Sequence, residues 1–257
     1  MPEFCVVERD GHLLTVTIQR PEVMNALHGP ANDELCTVFD EFESDPELWV
    51  AILTGAGERA FSAGNDLKAT VAGGGLPLPE KGFGGLTARY ECWKPIIAAV
   101  NGVAMGGGFE LALACDLIIA AQEAVFALPE PRVGLAALAG GVHRLPRQIP
   151  LKHAMGILLT GRRVPAAEGL ALGFVNEVVP RAELMNAARR WAGMILECAP
   201  LSVRGSKEAA LRGLDIASLR QAYETRYEGF ARMIKSEDFR EGPRAFVEKR
   251  PPRWKGR

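Results

Sequence analysis

The sequence predicts an α/β core over residues 1–199 and a helical region over residues 200–257. Three observations carry that prediction. Short apolar runs alternate with segments of helical periodicity as far as Pro180. Beyond Pro180 the stretches 182–198, 201–211, 216–234 and 237–248 hold no strand-like run. Several of the apolar runs end at glycine, and the 28 glycines are clustered rather than spread.

Taken in order, Phe4 to Glu8 and Leu13 to Gln19 are strand-like, and Asp10-Gly11 between them signals a hairpin turn. Pro30 to Ser44 places Leu35, Val38, Phe39 and Phe42 at helical spacing. Trp49 to Thr54 is a continuous apolar run closed by Gly55-Ala56-Gly57, which suits a strand buried on both faces. Gly73 to Gly85 is rich in glycine and proline and predicts a mobile surface loop. Pro95 to Val100 is a further buried strand. After Asn101-Gly102 and Gly106-Gly107-Gly108 the chain continues through Leu111, Ala112 and Ala114 as a helix. Asp116 to Ala121 and Ala124 to Leu128 are two more strands. The apolar segment Ile96 to Ala121 has the length of a membrane span, but Glu110, Asp116 and the glycine run interrupt it, so it reads as core.

Composition narrows the function. Lys+Arg 30 against Asp+Glu 31 leaves a net charge of -1, with no excess of cations to neutralise phosphates, so binding of nucleic acid by bulk charge is not expected. A hydrophobic content of 48% is ample for a core and excludes a disordered chain. The 5 cysteines form no CxxC pair and read as thiols in a reducing compartment. No two of the 4 histidines stand at HxxxH spacing, so no metal is expected. Met1 to Phe4 shows no basic stretch followed by an apolar one, so a cytoplasmic location is expected.

Two glycine clusters follow strand-like runs: Phe61-Ser62-Ala63-Gly64-Asn65-Asp66-Leu67 and Asn101-Gly102 through Gly106-Gly107-Gly108. Glycine there permits positive φ and close approach of a ligand to the peptide. A helix that starts at such a turn leaves its first N–H groups without internal partners, and two N–H groups aimed at one point make an oxyanion hole. A close-packed turn accounts for the same glycines. Neither a dinucleotide GxGxxG nor a P-loop matches. Glu110 lies among Phe109, Leu111, Ala112 and Leu113, and Glu130 stands between Pro129 and Pro131. Singly, each reads as a capping or solvated carboxylate. As a buried pair they would serve as general acid and general base.

At these residues the chain resembles the enoyl-CoA hydratase (crotonase) family. The likeness runs through Gln19-Arg20-Pro21, Asn25-Ala26-Leu27, residues 61–68, 94–102 and 106–111, Cys115-Asp116, Pro129-Glu130, residues 140–145, Leu159-Thr160-Gly161 and residues 241–250. Within the family it is similar to the carnitinyl-CoA dehydratase branch, through Ala127-Leu128-Pro129-Glu130 and the tail from Glu248 to Arg257. The resemblance implies a spiral of ββα units with a helical C-terminal trimerisation region, assembled as a trimer or a dimer of trimers. It implies an acyl-CoA substrate and no separate cofactor. It places the oxyanion hole on the backbone N–H groups of Asn65 and Gly107, and the catalytic acids on Glu110 and Glu130. It places coenzyme A contacts on Ala63, Asp66, Leu67 and Lys68, and on Phe246 and Lys249 of a neighbouring subunit. Lys68 and Lys249 read equally as solvated surface charges.

The stretch after Glu130 departs from the family pattern. It reads Gly134-Leu135-Ala136-Ala137-Leu138-Ala139-Gly140-Gly141, with alanine at 137 where many hydratases carry proline. Leu138 stands where the carnitinyl branch commonly carries an acid. A trimethylammonium substrate calls for an anion or an aromatic cage, and this stretch supplies neither. Hydration of an uncharged enoyl-CoA is therefore the expectation. Carnitinyl-CoA dehydration, double-bond isomerisation and non-catalytic acyl-CoA binding are the alternatives.

Overall fold

The computed structural model describes residues 2–73 and 78–257. The chain opens with an antiparallel hairpin, β1 (Cys5–Asp10) and β2 (Leu13–Ile18), turned at Gly11 with φ of 55°. Next, α1 (Gly29–Ser44) buries Leu35, Val38, Phe39 and Phe42, the face that their spacing predicts. One unit then recurs. β3 (Val50–Gly55) and β4 (Ala60–Ser62) lead to α2 (Leu67–Gly73). β5 (Ile96–Val100) and β6 (Val103–Met105) lead to α3 (Gly107–Ala114). β7 (Leu117–Ala121) and β8 (Val125–Ala127) lead to a 3-10 turn at Glu130–Val133 and then to α4 (Gly141–Gln148). α5 (Leu151–Thr160), β9 (Val164–Pro165), α6 (Ala166–Leu172), β10 (Glu177–Val179) and α7 (Leu184–Leu196) follow. The chain ends in α8 (Pro200–Gly213), α9 (Leu219–Glu224), α10 (Glu228–Lys235) and α11 (Asp238–Val247).

In each repeated unit the first strand joins a six-stranded sheet, ordered β1-β2-β3-β5-β7-β10. The second joins a four-stranded sheet, ordered β4-β6-β8-β9. The chain is thus a spiral of ββα units with a helical C-terminal region. From β2 to β10 the larger sheet is parallel, and β4, β6 and β8 run parallel in the smaller. Both faces of the larger sheet are covered. Val50, Ile52, Ile97, Ala99 and Ile119 pack with Leu184, Ala188 and Ala192 of α7. Ala51, Leu53, Ala98, Val100 and Ile118 face the main core with Phe39, Phe42 and Phe109. Continuous apolar runs are what such a sheet requires.

The corner between the sheets is held by two buried amides. Asn25 Nδ2 donates to Ala56 O (3.0 Å) and Ala60 O (2.8 Å), and Asn101 Nδ2 donates to Gly55 O (2.9 Å) and Gly57 O (2.8 Å). These carbonyls leave the ladder as the chain turns, and a buried carbonyl needs a donor.

One expectation is corrected. Of the segment 73–85, residues 74–77 lie outside the described residues, but Phe83–Gly85 is a buried 3-10 turn rather than a mobile loop. A Cβ at Gly84 would stand 2.6 Å from the Leu111 side chain, and one at Gly85 2.7 Å from Cys36 N. Those glycines serve close packing. The stretch 216–234, read as free of strands, holds α9 and α10 with a break at Thr225–Tyr227, across which Tyr227 Oη donates to Ala222 O (2.9 Å).

The tail folds back. Asp238, almost fully buried, accepts the N–H groups of Lys255 and Gly256 (both 2.8 Å), and Trp254 Nε1 donates to Glu197 O (2.8 Å). Among the described residues no helix is long and apolar enough to cross a membrane.

Candidate active site

Each repeated unit delivers one part of the site just past the C-terminal end of a strand in the smaller sheet. Asn65 follows β4, Gly107 and Glu110 follow β6, and Glu130 follows β8. Since β4, β6 and β8 are neighbours, these parts converge.

The Asn65 peptide is set by a parallel bridge to Leu27. Leu27 N donates to Gly64 O (2.8 Å) and Asp66 N donates to Leu27 O (2.9 Å). A parallel bridge uses the groups on either side of residue 65, so the N–H of Asn65 itself points the opposite way. The side chain of Asn65 is spent on Thr70, with Nδ2 to Oγ1 at 3.0 Å. Gly64, with φ of 88°, abuts the start of α3. A Cβ there would stand 2.6 Å from Met105 O and 2.8 Å from Gly107 N. Gly106, with φ of 54° and ψ of -125°, turns the chain into α3, a conformation open to glycine alone. Gly107 is therefore the first helical residue, and its N–H has no intrahelical acceptor. Among the described residues, neither the Asn65 nor the Gly107 N–H finds a backbone acceptor. Phe83 closes one side, its ring 2.7 Å from where a Cβ on Gly107 would stand.

The two carboxyls flank these N–H groups. Glu110, in the first turn of α3, is 3% exposed. Its Oε1 accepts the N–H of Gly141 (2.8 Å), the first residue of α4, and the backbone at Ala139 donates as well. Burial pushes its pKa up to about 7, opposed by those backbone donors, while the charge of Glu130 pushes it further up. Oε1 of Glu130 lies 3.0 Å from where a Cβ on Gly106 would stand. Its Oε2 is buried with no hydrogen-bond partner among the described residues. Burial raises the pKa of Glu130 too. Two carboxyls that interact in a site of low dielectric do not both ionise easily, so the pair holds a proton near neutrality.

The remaining expected positions divide. Asp66 is an internal brace: it pairs with Arg20 (3.2 Å), and its Oδ1 accepts Ala69 N (3.2 Å) at the start of α2. Ala63 is half-buried, and Leu67 and Lys68 are exposed at the first turn of α2. Phe246 is 85% exposed at the end of α11, with Lys249, at φ of 53°, just beyond. Among the described residues no hydrogen bond or ion pair joins Phe246 or Lys249 to residues 63–68.

Residues 8–257 match the enoyl-CoA hydratase/isomerase family. The chain belongs to that family. A relative named carnitinyl-CoA dehydratase, from Proteus mirabilis, is 46% identical over 253 residues, 96% of each chain. The crystal structure of an enoyl-CoA hydratase from Mycobacterium tuberculosis H37Rv superposes with a TM-score of 0.92 at 38% identity, covering 99% of both chains. That of a carnitinyl-CoA hydratase from Mycobacterium avium superposes with a TM-score of 0.79 at 42% identity over the full length of both. Gly141 and Phe83 are site residues that sequence reasoning missed. The pair Gly140-Gly141 before a helix was the available signal, because a helix N-terminus is a ready partner for a carboxylate.

Proposed function

We propose that this member of the enoyl-CoA hydratase/isomerase family is a hydro-lyase that reversibly adds water to 2-enoyl-CoA thioesters, giving 3-hydroxyacyl-CoA. The observation that carries the reading is the juxtaposition of a buried carboxyl, Glu110, and a half-buried one, Glu130, with two unengaged peptide N–H groups. As the water oxygen bonds to Cβ, the π electrons move toward the thioester oxygen. The N–H groups of Asn65 and Gly107 form the oxyanion hole that takes this charge. Glu110, ionised, accepts the proton of the attacking water. Glu130, protonated, delivers a proton to Cα. The pair ends with the proton on Glu110 instead of Glu130, and exchange with solvent resets it. Dehydration runs the same steps backwards.

On this reading coenzyme A is part of the substrate, cradled near Ala63, Asp66, Leu67 and Lys68. Phe246 and Lys249 reach it from a neighbouring subunit. The exposed apolar side chains of the C-terminal helices, Leu219, Tyr223, Ile234, Phe239 and Val247 among them, support self-association as a trimer or dimer of trimers. The cytoplasm is the proposed location, with neither nucleic acid nor membrane as a partner.

For the acyl group we propose an uncharged enoyl chain. Residues 133–139 begin three positions after Glu130, contain no acid or aromatic ring, and expose Val133, Leu135 and Leu138. Carnitinyl-CoA dehydration is the second reading, favoured by the names of the relatives at 42–46% identity. Crotonyl-CoA, longer 2-enoyl-CoA thioesters, a 3-enoyl-CoA and crotonobetainyl-CoA, assayed side by side, decide between them. Hydration of crotonyl-CoA that is abolished in both Glu110→Gln and Glu130→Gln is the expected result. Turnover of crotonobetainyl-CoA with none of crotonyl-CoA would establish the second reading, and tight CoA binding without any turnover would remove both.

A further inference from the structure

The turn that carries Phe83 is held from two sides. On one side stands α1, whose residues Asn32, Cys36, Asp40 and Glu43 are spaced to share a face. Buried Asn32 accepts the N–H of Gly84 on Oδ1 (2.7 Å). The other three receive Arg89, whose side chain is only 2% exposed. Its Nη1 pairs with Glu43 (2.6 Å), and its Nη2 pairs with Asp40 (2.8 Å) and donates to Cys36 O (3.2 Å). Its Nε turns back and donates to Gly85 O (2.8 Å). On the other side the Phe83 ring lies against Gly107 of α3. Thr87 Oγ1 accepts the N–H of Phe83 (2.8 Å), and Thr87 O accepts Nη2 of Arg144 on α4 (2.8 Å). A buried guanidinium is costly to desolvate, and an apolar side chain of similar volume often serves stability as well. What Arg89 adds is a planar fork, with fixed directions to a carbonyl of the turn and to two carboxyls of the helix.

We propose that Phe83 and Arg89 are positioning residues for the Gly107 peptide. Arg89 fixes the 83–85 turn against α1. The turn in turn holds the Phe83 ring on Gly107, which keeps the unengaged N–H of that peptide in one direction and keeps water off that face. Arg89 acts through Phe83. The turn needs such an anchor because Gly84 and Gly85, at φ of 58° and 67°, give up much conformational freedom when they are fixed.

The kinetic part of the test rests on the hydratase reading, and the direct part does not. In the direct experiment the glycines of the full-length protein are labelled with 15N, and the amide resonance of Gly107 is recorded without substrate. An aromatic ring in contact shifts that resonance by its ring current. Phe83→Leu is expected to move it, and Arg89→Met to move it in the same direction. Gly193 of α7, beyond the larger sheet, is expected to stay in place. Arg89→Lys keeps the charge and loses the fork, so it too should move Gly107. A Gly107 resonance unmoved in Phe83→Leu would refute the ring contact. One unmoved in both arginine variants would refute the anchor, and a shift that spread equally to Gly193 would assign Arg89 to the fold as a whole. A wild type inert toward enoyl thioesters would remove the hydratase reading and leave this result standing.

The kinetic experiment follows hydration of crotonyl-CoA. Phe83→Leu and Arg89→Met are each expected to lower kcat about tenfold, with KM within about twofold of wild type, because a misplaced peptide donor fails mainly in the transition state. The double variant should be no slower than Phe83→Leu alone, since the arginine has nothing left to position. Losses that multiply in the double variant would show that Arg89 does not act through Phe83. A full kcat in Arg89→Met, or a rise confined to KM, would overturn the proposal.

Discussion

Replacing Glu110 by glutamine should make the protein more stable and far less active, and the gain should exist only above acidic pH. A buried carboxyl whose pKa rises from 4.5 to about 7 on folding is held in the folded state at a cost whenever it is ionised. The sign follows from proton binding. Between these two values the folded chain holds a proton that the unfolded chain has released, so stability falls as pH rises through the interval. Below the unfolded value the group costs nothing. Above the folded value the cost is complete. At 1.36 kcal/mol per pH unit, the interval from 4.5 to about 7 amounts to roughly 3 kcal/mol. Glutamine has no such cost and keeps an oxygen for the N–H of Gly141. For a chain of this length the difference is worth about 6 °C in Tm. The assay is thermal unfolding of wild type and Glu110→Gln at pH 5 and pH 8, at one protein concentration. The variant should exceed the wild type by about 2 °C at pH 5 and by about 6 °C at pH 8. A glutamine variant that is less stable at both pH values would refute the argument from burial. The same variant should lose about 10²–10⁴ in kcat for hydration, the usual contribution of a positioned general base. For the wild type, kcat should fall as pH drops below about 7, where Glu110 takes up its proton.

Other substitutions test the frame around the carboxyls. Asn65→Pro deletes the peptide N–H and should cost about 10²–10³ in kcat, whereas Asn65→Ala, which loses only the hydrogen bonds to Thr70, should stay within about tenfold of wild type. Gly64→Ala puts a Cβ 2.8 Å from Gly107 N at a φ of 88° and should lower kcat about 10²-fold, with a smaller change in KM. Asp238→Ala releases the two backbone N–H groups of the tail and leaves them without their buried acceptor. It should lower stability by roughly 2–3 kcal/mol, read by chemical denaturation.

Some of the site is legible before folding because the signal is local. Glu110 stands among apolar neighbours just after a glycine turn, which marks it as a helix-capping carboxylate or one buried for function. Glu130 between two prolines is fixed by its own backbone. Gly106-Gly107 after a strand marks a turn into a helix, and the helix does start at Gly107. Other parts are illegible because their partners are distant. Gly141 meets Glu110 across 31 positions, and Arg144 meets Thr87 across 57. Neither helix carries a mark of the other. β4 and β6 are three residues each, too short to show an alternation, so these two strands of the smaller sheet, unlike β8, are invisible in the sequence although they lead into the site. Phe83-Gly84-Gly85 reads as a loop by composition. Its glycines are there because Leu111 and Cys36 press against them, and composition does not separate a glycine needed for packing from one that loosens a chain.

The repetition of the ββα unit explains why the family can be read more firmly than the substrate. The C-terminal ends of parallel strands are where ligands bind in open α/β sheets, since each strand there hands over to a turn free to vary. In this chain three such ends lie side by side, and they hold the Asn65 peptide, the Gly107 peptide with Glu110, and Glu130. The peptide parts depend on backbone path rather than side chains, and in this chain Gly64 and Gly106 set that path. On the proposed reading the choice of acyl group falls instead to the segment beyond the last of these ends, residues 133–139. Nothing in the strand frame dictates those side chains. A protein at 46% identity can therefore share the carboxyl pair and the glycines while accepting a different acyl chain. A charged acyl group asks for a counter-charge or an aromatic face at the rim, and Leu138 offers neither. If Leu138→Glu gained crotonobetainyl-CoA turnover at the expense of crotonyl-CoA, with kcat still dependent on Glu110, selection of the acyl group would reside in that segment. If the preference did not move, the selecting contacts would lie outside residues 133–139.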